Sequence, residues 1–154
     1  MQEVDSERIA AMGLSMGAFR TWQLAALSEK VSCGAAICWM ATVKGLMVPG
    51  NNRTGGQSAF TMLHPGLSRY LDYPDVASIA CPKPMLFYNG KKDTLFPVAS
   101  VNDAYAKMQE IWKSQNASDK LETRLWDVAH VFNVEMQEEA FDWLDKHLKQ
   151  RKRK

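Results

Sequence analysis

The junction in RIAAMGLSMGAFRTWQLAAL, residues 8–27, restricts the fold more than any other part of the chain. An almost unbroken apolar run from Ile9 to Leu14 is the pattern of a short strand covered on both faces, as in a parallel sheet. Directly after it, Phe19, Trp22, Ala26 and Leu27 recur at spacings that suit a helix with one apolar face. Between the two, Gly13, Leu14, Ser15, Met16 and Gly17 form a G-x-S-x-G turn, whose glycines permit a sharp bend that lifts the serine hydroxyl above the sheet. A second apolar run at residues 33–41 completes a strand–helix–strand unit, which implies parallel strands and a right-handed crossover.

Next come the glycine-rich VPGNNRTGGQSAF and the proline-punctuated TMLHPGLSRYLDYPDVASIACPKP, which read as an irregular excursion with short helical pieces. MLFYNG predicts a third strand ending at Gly90, with Lys91, Lys92 and Asp93 in the loop beyond. Pro97 opens a helix reaching about Gln115, with Val98, Val101, Tyr105, Met108 and Trp112 on one stripe. In KLETRLWDV, Leu121, Thr123 and Leu125 alternate with Glu122, Arg124 and Trp126, the pattern of a strand at a sheet edge. The last helix runs from about Val134 to Lys149 with Met136, Ala140, Phe141, Leu144 and Leu148 on its apolar face. Its acidic start and basic end match the helix dipole. The expected fold is α/β: an open parallel sheet of about four strands flanked by helices, one domain over residues 1–148, and a basic disordered tail at 149–154.

Composition narrows the class of partner. A chain of 154 residues that is 46% hydrophobic and 23% charged is long enough for a real core and too apolar for wholesale disorder. Five of the nineteen basic residues lie in the last six positions, so fourteen face seventeen acidic residues elsewhere. A mildly acidic body gives no support to a nucleic-acid surface. Cys33, Cys38 and Cys81 show neither C-x-x-C nor Cys/His metal spacing and read as reduced core thiols. No apolar stretch reaches 18 residues and MQEVDSER is too polar for a signal peptide, so no membrane partner is expected. The chain as it stands reads as cytoplasmic, and a further upstream segment would open a periplasmic or secreted location.

A serine hydroxyl is a weak nucleophile at neutral pH and needs a base within hydrogen-bond reach, with an acid to orient that base. Asp93 falls just past the third strand and His130, in WDVAHVFN, just past the fourth, both on the carboxyl edge where sheets of this type hold their chemistry. Asp93 also suits a turn or cap before Pro97, and His130 a plain loop histidine; the chain order Ser, Asp, His favours the chemical reading of both. The other histidines are His64, in LHPG, and His147, among the charges of the last helix. Trp39, Met40 and His64 are candidates for a substrate pocket, with core packing and loop structure as equal alternatives.

The order GLSMG, NGKKD, AHVF resembles the carboxyl half of α/β-hydrolases. The text around those motifs is similar to the dienelactone-hydrolase and acetylxylan-esterase-like bacterial branch, over about residues 4–148. The resemblance implies Ser15 as nucleophile, His130 as general base and then acid, Asp93 as its orienter, and the Met16 backbone N–H as an oxyanion donor. It also implies a serine esterase acting on small acyl or carbohydrate (acetyl) esters, with no cofactor and no metal. Two departures are Ala129, where many relatives carry glycine, and YNG, where many carry a His-Gly pair.

A larger departure is that relatives place several strands before the nucleophile strand, together with the loop that gives the second oxyanion amide. The expectation is therefore a truncated fold and a weak catalyst, since one lost oxyanion donor costs about a hundred- to a thousandfold in turnover. The alternative is a silent hydrolase remnant serving as an oligomerising or binding module. The unpaired edge of the first strand predicts a homo-oligomer, most simply a dimer joined through that strand.

Overall fold

A computed structural model describes residues 5–47 and 66–149. The elements in chain order are β1 (Ile9–Leu14), α1 (Met16–Leu27), β2 (Val31–Ile37), α2 (Val43–Leu46), α3 (Tyr73–Ser78), β3 (Met85–Gly90), α4 (Val98–Ser114), β4 (Leu121–Trp126) and α5 (Val134–Lys149). Single 3-10 turns stand at Leu67–Arg69 and Ser118–Lys120. The four strands pair in parallel in the order β1-β2-β3-β4, in register from Gly34 beside Met85 and from Met85 beside Leu121. Each crossover carries a helix, so successive strands lie side by side and their carboxyl ends share one edge.

Apolar residues cover the sheet on both faces because the strands alternate. Met85 and Phe87 of β3 join a core with Phe19 and Trp22 of α1 and Met108 and Trp112 of α4, whereas Leu86 and Tyr88 join Met136, Ala140 and Leu144 of α5. The first core is crowded with aromatic rings: Trp39 lies edge-on to Tyr73 at 4.9 Å and Phe19 edge-on to Trp22 at 4.9 Å. Edge-to-face packing suits the positive rims and negative faces of these rings. The carboxyl end of α1 is tied down by Lys83, whose Nζ donates to the Ala25 and Ser28 carbonyls at 2.7 and 2.8 Å. A cation there also meets the negative end of the helix dipole.

The elements sit where the hydrophobic pattern puts them, with four corrections. The second apolar run is a strand only from Val31 to Ile37; Cys38 turns out of the sheet at φ 57°, and Trp39 and Met40 continue as core outside it. The buried face of α1 is Ala18, Phe19, Thr21, Trp22 and Ala25, while Leu27 is 74% exposed. On α5, Phe141 is exposed and Met136, Ala140 and Leu144 carry the burial. Both errors follow from reading a 3.6-residue period a few tens of degrees off its true centre. Lys149 belongs to α5 and pairs with Asp145, and the rest of the basic tail lies outside the described residues, as do most of the glycine-rich excursion and His64.

Among the described residues no helix is long and apolar enough to cross a membrane. Trp22, fully buried at the centre of the aromatic group, sets the stability test for this side of the sheet. Trp22→Ala is expected to lower the unfolding free energy by about 3–5 kcal/mol, read from urea denaturation.

Candidate active site

Ser15 occupies the turn between β1 and α1 at φ 56°, ψ −117°, backbone angles that L-residues avoid and that persist only where the surroundings impose them. Two hydrogen bonds do so: the Ser15 amide donates to the Ile37 carbonyl at 2.8 Å, and the Phe19 amide donates to the Ser15 carbonyl at 3.0 Å. The turn also requires Gly13, because a Cβ there would stand 2.3 Å from the Gly17 carbonyl carbon. No such demand falls on Gly17, where a Cβ would meet nothing within 4 Å. Ser15 has no side-chain capping bond, and the first amides of α1, Met16's among them, have no intrahelical acceptor. The half-buried hydroxyl therefore stands at the positive end of a helix, beside free N–H donors.

Two strands away, the loops after β3 and β4 are stitched together. The Lys91 amide donates to the Trp126 carbonyl at 2.7 Å and the Lys92 amide to the Val128 carbonyl at 3.0 Å. The chain leaving β4 then passes directly over Gly90: a Cβ at that position would lie 2.4 Å from the Val128 oxygen and 2.5 Å from the Ala129 oxygen. This crossing delivers His130 to Asp93. His130 Nδ1 and Asp93 Oδ2 are 2.6 Å apart, while Asp93 Oδ1 accepts the Leu95 amide at 2.9 Å. The Asp93 carboxylate is fully buried and the imidazole 27% exposed, with the Phe96 ring stacked alongside it at 6.2 Å. A carboxylate accepting at Nδ1 fixes the proton there and leaves Nε2 as the free basic nitrogen.

Cys38 joins these parts. Its amide donates to the Tyr88 carbonyl at 2.6 Å, and its thiol donates to the Val131 carbonyl at 3.4 Å, latching the His130 loop onto the end of β2. Burial, and then the nearby Asp93 charge, push the thiol up to about 11, so it is neutral and can donate. Because Ile37 accepts from Ser15 and Cys38 holds Val131, the serine turn and the histidine loop meet at the same strand end. Among the described residues, no hydrogen bond joins the Ser15 hydroxyl to His130.

The remaining candidates lie elsewhere. Trp39 and Met40 are buried in the aromatic core, Trp39 touching the site through Phe96 at 5.4 Å. His147 packs on Trp143 at 4.2 Å along α5, and burial lowers its pKa. Sequence reading placed Asp93 and His130 at neighbouring strand ends but missed Cys38, Gly90 and Phe96. Gly90 alone carried a signal, as the glycine ending the third strand.

No family model matches the chain. It is 25% identical over 146 residues to YtaP of Bacillus subtilis (strain 168), provisionally named a hydrolase, covering 95% of this chain and 48% of that protein. Among solved structures it is similar to a carbohydrate esterase family 15 glucuronoyl esterase from Caldicellulosiruptor kristjansonii, with a TM-score of 0.79 and 13% identity, over 99% of this chain and 46% of the other. It is also similar to Methylesterase BT1017, with a TM-score of 0.73 and 21% identity, over 94% and 30%. The chain thus spans about half the length of YtaP and of the glucuronoyl esterase.

The glycine geometry yields a pair of stability tests. Gly13→Ala must shift backbone and is expected to cost about 1–3 kcal/mol, whereas Gly17→Ala, in an open helical position, should be neutral or stabilising by up to about 1 kcal/mol. Gly90→Ala is expected to cost about 1–3 kcal/mol and to move the His130 loop. Urea titrations read the stabilities, and the low-field Nδ1 proton resonance of His130 reports the displacement.

Proposed function

The chain has the α/β-hydrolase fold, and we propose that it acts within that fold as a serine esterase, hydrolysing small acyl or carbohydrate esters. The observation that carries this reading is the 2.6 Å contact between the buried Asp93 carboxylate and His130, presented at the strand end that the strained Ser15 turn shares. The esterases among the similar folds act on the sugar-acid and methyl esters their names describe, and they support an ester as substrate.

In this mechanism the Ser15 oxygen attacks the ester carbonyl carbon while its proton passes to His130 Nε2. The carbonyl oxygen becomes an oxyanion facing the Met16 amide, the donor that follows the nucleophile in such turns. His130 returns the proton to the departing alkoxide, leaving an acyl group on Ser15. Water then adds by the same route and releases the acid. Asp93 keeps the imidazole in the Nδ1–H tautomer and stabilises the imidazolium formed at each step. No step requires a metal or an organic cofactor.

A second reading is a silent hydrolase fold that serves as an oligomerising module. Two observations favour it: Ser15 and His130 share no hydrogen bond, and Met12 and Leu14 are exposed along β1, at the sheet edge. On that reading the protein associates through β1 and turns over no ester.

Hydrolysis of p-nitrophenyl acetate separates the two. The esterase reading predicts turnover above buffer that falls at least about a thousandfold in Ser15→Ala and His130→Ala, and about 10³- to 10⁴-fold in Asp93→Asn. Equal rates in wild type and all three variants would remove the mechanism, and a dimer by light scattering in that case would support the module.

A further inference from the structure

Cys38 brings a nucleophilic side chain to the site, and ester hydrolysis gives it no chemical task. Its sulfur, a carboxylate oxygen of Asp93 and a nitrogen of His130 all lie within 4.8 Å of one another. They arrive on three separate segments: the turn after β2, the loop after β3 and the loop after β4. Sulfur, nitrogen and oxygen donors of these kinds are the ligand set of zinc, which is content with three protein ligands and one open position.

The geometry is within reach of such an ion. Metal–ligand bonds of about 2.0–2.3 Å in a tetrahedral arrangement place donor atoms about 3.3–3.7 Å apart. The sulfur lies within 4.8 Å of the other two donors and must close on them by up to about 1 Å, and the Nδ1 to Oδ2 separation of 2.6 Å must open by about 0.7 Å. His130, the partly exposed member, can make that adjustment and offers the way in from solvent.

We propose that a thiophilic divalent cation of the zinc type binds Cys38, Asp93 and His130, and in doing so takes the carboxylate–imidazole pair out of service. The thiol proton passes to solvent and the imidazole proton moves from Nδ1 to Nε2, so that the ring stays neutral; sulfur, Nδ1 and one carboxylate oxygen bond to the metal, and water fills the fourth position. Nothing is oxidised or reduced. Hard cations are excluded, because calcium and magnesium require six or more oxygen ligands or an octahedral shell that this trio cannot supply. The metal site stands independently of the esterase reading; its inhibitory effect rests on that reading.

Cobalt(II) is the probe, since a thiolate bound to it gives a near-ultraviolet charge-transfer band. Wild type with one equivalent of Co²⁺ is expected to show the band, Ser15→Ala to keep it, and Cys38→Ser and Cys38→Ala to lose it. The double variant Cys33→Ala/Cys81→Ala, with Cys38 the remaining thiol of the three, is expected to keep it, which preserves the test should the Cys38 variants fail to fold. A wild type without the band, a band that survives in Cys38→Ser, or one lost in the double variant would overturn the site. In the ester assay, Zn²⁺ should inhibit wild type at near-stoichiometric ratios. Cys38→Ser, relative to its own metal-free rate, should need at least tenfold more. Metal-free protein that hydrolyses no ester yet shows the cobalt band would sink the esterase reading and leave the metal site standing.

Discussion

One backbone crossing underlies the site: the chain leaving β4 runs over Gly90 so closely that the Val128 oxygen would sit 2.4 Å from any Cβ there. Two amides of the following loop, those of Lys91 and Lys92, donate across the same gap. Those contacts convert two adjacent strand ends into one rigid platform, and the 2.6 Å bond between Asp93 and His130 is its product. A parallel sheet is what makes the arrangement available, because every strand exits at the same edge and every loop there can meet its neighbours.

The opposite half of the site is made by strain. Ser15 at φ 56° is held by one bond to β2 and one to α1, and Gly13 admits the close approach of Gly17 that the turn requires. Strain of about 1–3 kcal/mol at one residue is tolerable where a sheet buried on both faces and two hydrophobic cores fix everything around it. Cys38, also at positive φ, turns the chain out of the sheet after β2 and latches the histidine loop to that strand end. Two residues at positive φ, each just past the end of one of two adjacent strands, thus shape the edge of the sheet where the Ser15 turn and the His130 loop are held.

What could be read beforehand follows from how local each feature is. Apolar runs announce strands, so β1 and β3 were legible to the residue, although only β3 is buried throughout and β1, at the sheet edge, leaves Met12 and Leu14 exposed. Helices were legible in position but less so in facing: Leu27 and Phe141 fit an apolar stripe and yet look out to solvent. The residues after Ile37 remained apolar beyond the end of pairing, and nothing in the letters marks Cys38 as the turning point. Asp93 and His130 were legible because both fall just past predicted strands in the order this fold uses. Cys38 and Phe96 were not, because their roles arise only when the loop after β4 crosses back over two strands, a long-range contact with no local signature.

Labelling by a fluorophosphonate tests the central claim most directly, since it requires a serine activated by a neighbouring imidazole and leaves a covalent mark. Intact-mass and peptide analysis of the folded protein should find a single adduct, on Ser15, whose formation slows by orders of magnitude in His130→Ala. A folded protein that takes up no label, or carries it at another residue at the same rate in that variant, would contradict the account.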